Sequence, residues 1–134
     1  LFEYPNHKFV GYFIGSPGMN FLPCTMENGR ARMGEFHIPL DDRTAALGNR
    51  ATGSLELGIR PLYLTVHVQE TADSFQVPVQ SVEDQGSYRV VTLTFADQVI
   101  RARIAENDPV PGATAWISFP EKWIRLFEND LLLK

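Results

Sequence analysis

The stretch YRVVTLTFADQVIRARI, residues 88–104, decides the fold class of this chain. Apolar and polar side chains alternate on both sides of Ala96-Asp97, and a two-residue interruption between two such runs is typical of a tight β-hairpin. In this pairing one face of the hairpin collects the apolar side chains Val91, Leu93, Phe95, Ile100, Ala102 and Ile104. The sequence therefore predicts two antiparallel strands whose apolar face packs on a core.

The same two-residue period recurs along most of the chain, in short segments separated by Gly, Pro, Asn or Asp. Within residues 75–83 the apolar phase changes, so we predict a β-bulge near Gln80-Ser81. Polar residues 41–53 are predicted to hold a helical turn from Arg43 to Leu47, ended by Gly48 and followed by a flexible loop. An all-β barrel or sandwich accounts for the pattern. The further predicted strands are 20–27, 30–33, 36–39, 54–60, 63–68, 75–83, 113–119 and 122–127.

One short helix is predicted before these strands, in the stretch FVGYFIGSPGMNFL, residues 9–22. Asn6 can cap it, and its apolar residues fall on one side up to Ile14. Gly15 and Pro17 end it abruptly, because proline cannot continue a helix.

The formal net charge of −4 opposes binding to phosphate backbones or anionic lipid surfaces, so nucleic acid is not an expected partner. Arg101 and Arg103 are predicted to point outward from the same strand. They belong either to a solvated face that discourages edge pairing or to a contact with an anionic ligand. Together with Tyr88 they supply only a few of the basic and aromatic side chains that a surface for single-stranded nucleic acid needs.

The sequence contains no pattern that predicts catalysis or a metal site. No glycine-rich phosphate loop is present, and Pro17 removes the backbone N–H that an oxyanion hole beside Ser16 would need. His7, His37 and His67 lie far apart in sequence and are predicted on the surface, and the single Cys24 is predicted in the core. These observations favour a binding or regulatory module without a catalytic residue or a metal.

Three segments resemble a known family in order and spacing. They are EYPNHKFVGYFIGSPGMNFLP (3–23), LELGIRP (55–61) and PGATAWISFPEKWIRLF (111–127). Together they are similar to the carboxy-terminal regulatory domain, called TOBE, of the ATP-binding subunits of bacterial ABC importers for maltose, multiple sugars and glycerol phosphate. The resemblance implies an OB-like (TOBE/MOP-like) barrel of short antiparallel strands after one short N-terminal helix.

The resemblance also implies a division of the chain. Residues 1–14 are expected to be the trailing edge of an ATPase domain, and residues 15–134 the regulatory domain. Two sites follow from it. A hinge or subunit contact is expected at Gly15, Ser16, Pro17, Gly18, Met19 and Asn20, although Met19 equally suits the core. Gly58, Arg60 and Pro61 form the second site, where Arg60 acts as a structural clamp or contacts a regulator.

For the intact protein, the resemblance implies an ATPase subunit that drives uptake of a sugar or glycerol-phosphate-like solute. ATP and Mg²⁺ would bind the ATPase domain, and this chain would need no cofactor. The implied partners are a second copy of the subunit, membrane-spanning permease subunits and a regulatory protein, and the implied location is the cytoplasmic face of the cell membrane. The alternative from another class is a stand-alone β module that binds an oxyanion such as molybdate.

Overall fold

Short alternating strands build two antiparallel sheets in residues 18–134, the part of the chain that the computed structural model describes. One compact unit contains residues 18–60 together with Glu121–Lys134, and the other contains Pro61–Pro120. The all-β prediction is confirmed. The helix predicted up to Ile14 and the domain boundary predicted after residue 14 lie outside the described residues.

The strand predictions were close to the observed bounds, and four of the observed strands coincide with them: β1, β2, β3 and β7. The elements are β1 (Asn20–Glu27), β2 (Arg30–Met33), β3 (Phe36–Pro39), α1 (Asp42–Arg50), β4 (Leu55–Ile59), β5 (Thr65–His67), β6 (Phe75–Asp84), β7 (Tyr88–Phe95), β8 (Gln98–Ala105), β9 (Thr114–Ser118), a 3-10 turn (Glu121–Trp123), β10 (Arg125–Glu128) and β11 (Leu131–Leu132).

The first unit is a six-stranded sheet in the order β11-β10-β4-β1-β2-β3. Residues with alternate numbers point to opposite faces of each strand. The fully buried Leu22, Leu57 and Leu126 lie on one face, and helix α1 packs over that face. The opposite face carries Phe21, Phe127 and most of the charged side chains of the sheet.

Helix α1 is longer than predicted, because it runs through Gly48 to Arg50. The prediction that Gly48 ends the helix is wrong, and so is the flexible loop over residues 48–50. A Cβ atom at Gly48 would lie 2.6 Å from Met26 Sδ and 2.9 Å from Leu126 Cδ1. The glycine is therefore needed where the helix crosses the sheet, and Ala51 takes the C-cap position.

Helix α1 begins at a side-chain cap that we did not predict. The carboxylate of Asp41 accepts a hydrogen bond of 2.8 Å from the Thr44 N–H, and this bond is the main reason why the pKa of Asp41 is lowered. A carboxyl group with a lowered folded-state pKa contributes stability above its unfolded-state pKa, about 3.9. That contribution is lost as the pH falls through the folded-state value.

We expect Asp41→Ala to lower the free energy of unfolding by about 1 kcal/mol at neutral pH, since the cap satisfies an otherwise unpaired N–H at the helix start. Urea unfolding monitored by circular dichroism measures this loss. Asp41→Asn is the matched control because it keeps the accepting oxygen and removes the charge. It should stay near wild-type stability at neutral pH and lose less stability than wild type in acid. An alanine variant as stable as the asparagine variant would contradict the cap.

The second unit is a five-stranded sheet in the order β5-β9-β6-β7-β8. The edge strands β5 and β8 lie close to each other, and the Arg103 N–H donates to the Pro61 carbonyl at 2.9 Å, so this sheet curls on itself. The predicted bulge is confirmed by a register shift between Val79 and Ser81.

The hairpin of residues 88–104 is confirmed with its predicted turn. Both Ala96 and Asp97 have positive φ angles, 48° and 63°, as a tight turn between twisted strands requires. All six side chains predicted to face inward are buried. Arg101 and Arg103 point outward as predicted, and the Arg103 guanidinium lies 3.8 Å above the Tyr88 ring.

Three aromatic rings form the center of the second unit. Phe95 is 1% exposed, and its ring centroid lies 5.5 Å from that of Phe75 and 5.3 Å from that of Phe119. Their tilted and edge-on arrangements are those that aromatic pairs prefer. Strands β6, β7 and the end of β9 thus meet at Phe95.

Candidate functional site

The predicted junction, Gly15 to Asn20, leads directly into strand β1 of the first unit. Gly15, Ser16 and Pro17 lie outside the described residues, and Gly18 is half-exposed just before the strand. Met19 and Asn20 are only 5% and 7% exposed. Of the two interpretations of Met19, its burial supports the core role, while the subunit contact stays a prediction.

Met19 belongs to a small apolar cluster that we call the junction layer. Its members are Met19, Phe21, Phe127 and the partly buried Leu132. The rings of Phe21 and Phe127 meet edge to face, with centroids 5.2 Å apart and planes at 81°. The layer lies on the sheet face opposite helix α1, so it joins the first strand of the unit to its last two strands.

Phe127 corrects the sequence-based prediction of the last long strand. Alternation along residues 122–127 predicts that Ile124 and Leu126 are inside and that Trp123 and Phe127 cover the outside. Ile124 and Leu126 are buried as predicted, and Trp123 is half-exposed. The prediction for Phe127 is wrong, because its side chain is 0% exposed. Alternation assigns a residue to a face but does not show whether that face is covered.

Gly58 lies opposite Phe21 in the β1–β4 ladder, under the junction layer. A Cβ atom there would lie 2.8 Å from Phe127 Cε1 and 3.2 Å from Met19 Cε. The structure therefore gives a steric reason for glycine at this position: the Phe127 ring and the Met19 methyl rest directly on the backbone of β4.

Because of this contact, we expect Gly58→Val to lower the free energy of unfolding by about 1–3 kcal/mol, since added methyl groups must displace a buried ring. Chemical denaturation measures the change. Gly112→Ala is the control, because no atom of residues 18–134 beyond its chain neighbours lies within 4 Å of its Cβ position and its φ is not positive. That variant should stay at or slightly above wild-type stability. Equal stability of Gly58→Val and wild type would contradict the packing role of Gly58.

The other two residues of the second predicted site belong to different units: Arg60 to the first and Pro61 to the second. Arg60 is half-buried just after β4, and Pro61 is buried. The Pro61 carbonyl accepts the Arg103 N–H, so it helps hold the curled second sheet. The clamp or regulator contact of Arg60 stays a prediction.

A polar cluster lies on the same sheet face as the junction layer, across β1, β2 and β3. The Glu27 carboxylate is 2.8 Å from Arg32 Nη1 and 3.0 Å from His37 Nε2. The hydrogen bond from His37, followed by that from Arg32, lowers the pKa of Glu27. His37 is half-exposed, and His67, also half-exposed, is 3.2 Å from the Ser118 hydroxyl; His7 lies outside the described residues.

A second carboxylate ties the loop after helix α1 to the last hairpin. Glu128 Oε2 accepts the N–H groups of Thr52 and Gly53, at 2.9 and 2.6 Å. The Asn129 N–H donates to the Ser54 carbonyl at 3.0 Å. Sequence reasoning missed this contact, because its partners are about 75 residues apart and no local motif marks it.

The described residues present packing and hydrogen-bonding surfaces rather than reactive groups. Cys24 is buried as predicted, and burial raises the pKa of its thiol to about 11. Within residues 18–134 no three His, Cys, Asp or Glu side chains are placed to hold a metal ion. The same part of the chain has no helix with the length and apolar character that a membrane span requires.

Two family models match the chain. The MalK OB fold domain matches residues 15–61, and the TOBE domain matches residues 57–127. The cytoplasmic molybdate-binding protein ModG, solved with molybdate bound, has a similar fold with a TM-score of 0.60 at 13% identity. That likeness covers 80% of this chain and 94% of ModG. The predicted OB-like, TOBE-type fold is confirmed.

Two relatives are ATP-binding proteins of importers. The xylose/arabinose import protein XacK of Haloferax volcanii is 33% identical over 132 residues, which cover 94% of this chain and 34% of XacK. The sn-glycerol-3-phosphate import protein UgpC of Escherichia coli is 27% identical over 134 residues, covering 97% of this chain and 36% of UgpC. The chain thus spans about a third of the length of these relatives.

Proposed function

Because the chain belongs to the TOBE domain family, we propose that it is the regulatory, dimer-stabilising part of an ATP-binding subunit of an ABC importer. One observation carries the proposal. Similarity to two importer ATP-binding proteins runs through 94% and 97% of this chain but only 34% and 36% of those proteins. A chain that matches about a third of such a protein and contains a TOBE domain is expected for a domain appended to the ATPase domain.

In this proposal ATP binding and hydrolysis take place in the rest of the subunit. ATP and Mg²⁺ would bind the preceding ATPase domain, and the solute would be a sugar or a glycerol-phosphate-like molecule, as the names of the two relatives suggest. The partners would be a second copy of the subunit, the permease subunits and a regulatory protein. The subunit would work in the cytoplasm at the inner face of the membrane.

The junction layer supports a holding role for this chain. Met19, which belongs to the predicted hinge, and Phe21 are packed against Phe127, so the chain is fixed to the last hairpin from Met19 onward. A rigid attachment lets a regulatory domain transmit the position of one ATPase domain to its copy.

The dimer-stabilising role is tested on the full-length subunit and on a version that stops before Gly15. Sedimentation velocity without nucleotide should show a dimer for the full-length subunit and a weaker dimer or a monomer for the truncated one. Equal self-association of both would refute the role. The 134-residue chain alone should neither hydrolyse ATP nor bind it tightly, and clear turnover by the chain would refute the assignment.

Oxyanion binding is the alternative, and the likeness to ModG supports only a shared fold. The lysines of the chain, Lys8, Lys122 and Lys134, do not lie in loops rich in serine or threonine. Calorimetry with molybdate, tungstate and sulfate separates the two functions. Tight binding of any of these anions would favour the alternative.

A further inference from the structure

A cleft of about 570 Å³ opens in the first unit between β1 and the loop that follows helix α1. Its floor includes Cys24 and Leu55, which are both buried. Four exposed polar residues surround it: Thr25, Asn49, Thr52 and Ser54. Among the described residues that line the cleft, none is charged. Its size is that of a site for a small ligand.

The cleft exists because β1 and β4 separate. In the described chain their ladder ends at the pair Cys24–Leu55, so no strand residue lies opposite Met26 on the β4 side. The two-residue turn Asn28-Gly29 has φ angles of 53° and 75°, so the closing pair Glu27–Arg30 exchanges both backbone hydrogen bonds.

Hydrogen-bonded and non-hydrogen-bonded pairs alternate along an antiparallel ladder. The next pair, Met26–Ala31, is therefore the non-hydrogen-bonded one, and the N–H and C=O of Met26 point away from β2. They point to the side where β4 has ended, which is the side of the cleft. The cleft thus offers one backbone N–H donor and one backbone C=O acceptor, both from Met26, beside its polar rim.

The carboxylate of Glu128 indicates which charge a ligand of the cleft can carry. The two N–H groups of the loop, from Thr52 and Gly53, already bind Oε2 of this carboxylate. An anion would have to compete with that internal carboxylate and would meet its negative charge. The remaining groups are hydroxyls, a carboxamide and a peptide unit, each a neutral group that can donate and accept.

We propose that this cleft binds a small, neutral, polyhydroxylated ligand of monosaccharide size. The hydroxyl groups of such a ligand match the polar side chains of Asn49, Thr52 and Ser54, and its C–H surface matches the floor of Cys24 and Leu55. This inference goes beyond the proposed function, because it gives the chain a small-molecule site of its own. It does not require that the chain belong to an importer.

Amide-resolved NMR titration of the chain tests the site. D-xylose and D-glucose are the neutral probes, and sn-glycerol 3-phosphate and molybdate are the charged ones. We expect saturable shifts of the Met26, Thr52 and Ser54 amides with a neutral sugar and none with the anions. Shifts of these amides only with an anion, or no saturable shift with either sugar up to high millimolar concentration, would overturn the proposal.

Three variants separate specific binding from weak surface contact. Asn49→Ala combined with Thr52→Ala should weaken sugar binding by about thirtyfold, since two hydrogen bonds of about 1 kcal/mol each are lost. Thr114→Ala, at an exposed threonine of the second unit, is the matched control and should bind as wild type does. Ser54→Trp should block the cleft. If it fails to fold, the double variant still decides, and unchanged affinity there overturns the site.

Discussion

Phe127→Ala is expected to destabilise the first unit by about 3–5 kcal/mol, the usual loss when a buried phenylalanine is truncated. Its side chain is 0% exposed and its ring packs edge to face on Phe21, at 5.2 Å. Removing the ring leaves a cavity over Gly58, because a glycine has no side chain to fill the space. Urea unfolding followed by resolved amide signals of β1 and β4 measures the loss.

Leu131→Ala is the control for this variant, because Leu131 lies in the neighbouring strand and is 56% exposed. It should change the stability by no more than about 0.5 kcal/mol. A double-mutant cycle with Phe21→Ala should give a coupling of about 0.5–1.5 kcal/mol for the aromatic pair. If Phe127→Ala is no more harmful than Leu131→Ala, the junction layer does not stabilise the unit.

The second large effect is expected in the other unit. Phe95→Ala should cost the second unit about 3–5 kcal/mol, because Phe95 is the ring that both Phe75 and Phe119 contact. Those two rings lie 6.2 Å apart and would keep only their mutual contact. Unfolding followed by the amides of β6 and β7 measures this loss.

Val99→Ala is the matched control, since Val99 is 53% exposed on the strand that pairs with that of Phe95. Phe95→Leu adds a graded test, because it keeps apolar volume but removes the ring geometry. It should lie between wild type and the alanine variant. Wild-type stability of Phe95→Ala would show that the three rings are not the core of this unit.

The strands were predictable where a local signal fixed both ends. Asn28-Gly29 and Ala96-Asp97 adopt the positive φ angles of tight turns, and the alternation on each side then sets the register. β11 was missed because two residues are too few to show a period. The extra turn of α1 was missed because Gly48 fits a helix end equally well until Met26 and Leu126 are known to lie beneath it.

The candidate site was less predictable than the fold, because its contacts join residues that are distant in the sequence. Nothing near Phe127 indicates that Phe21 covers it, and nothing near Glu128 indicates that Thr52 and Gly53 donate to it. The Asp41 cap, by contrast, has a local signal. An aspartate three residues before Thr44 at a helix start was available in the sequence and was not used.

The first unit is made from two separated pieces of chain, and this has a consequence for biosynthesis. Strand β4 has its partner β10 only after all of Pro61–Pro120 has been made, and Glu128 reaches Gly53 across 75 residues. As the chain leaves the ribosome, the continuous second unit can therefore complete its sheet while β4 still has one open edge. We expect nascent chains that end before Arg125 to be captured by chaperones through that edge.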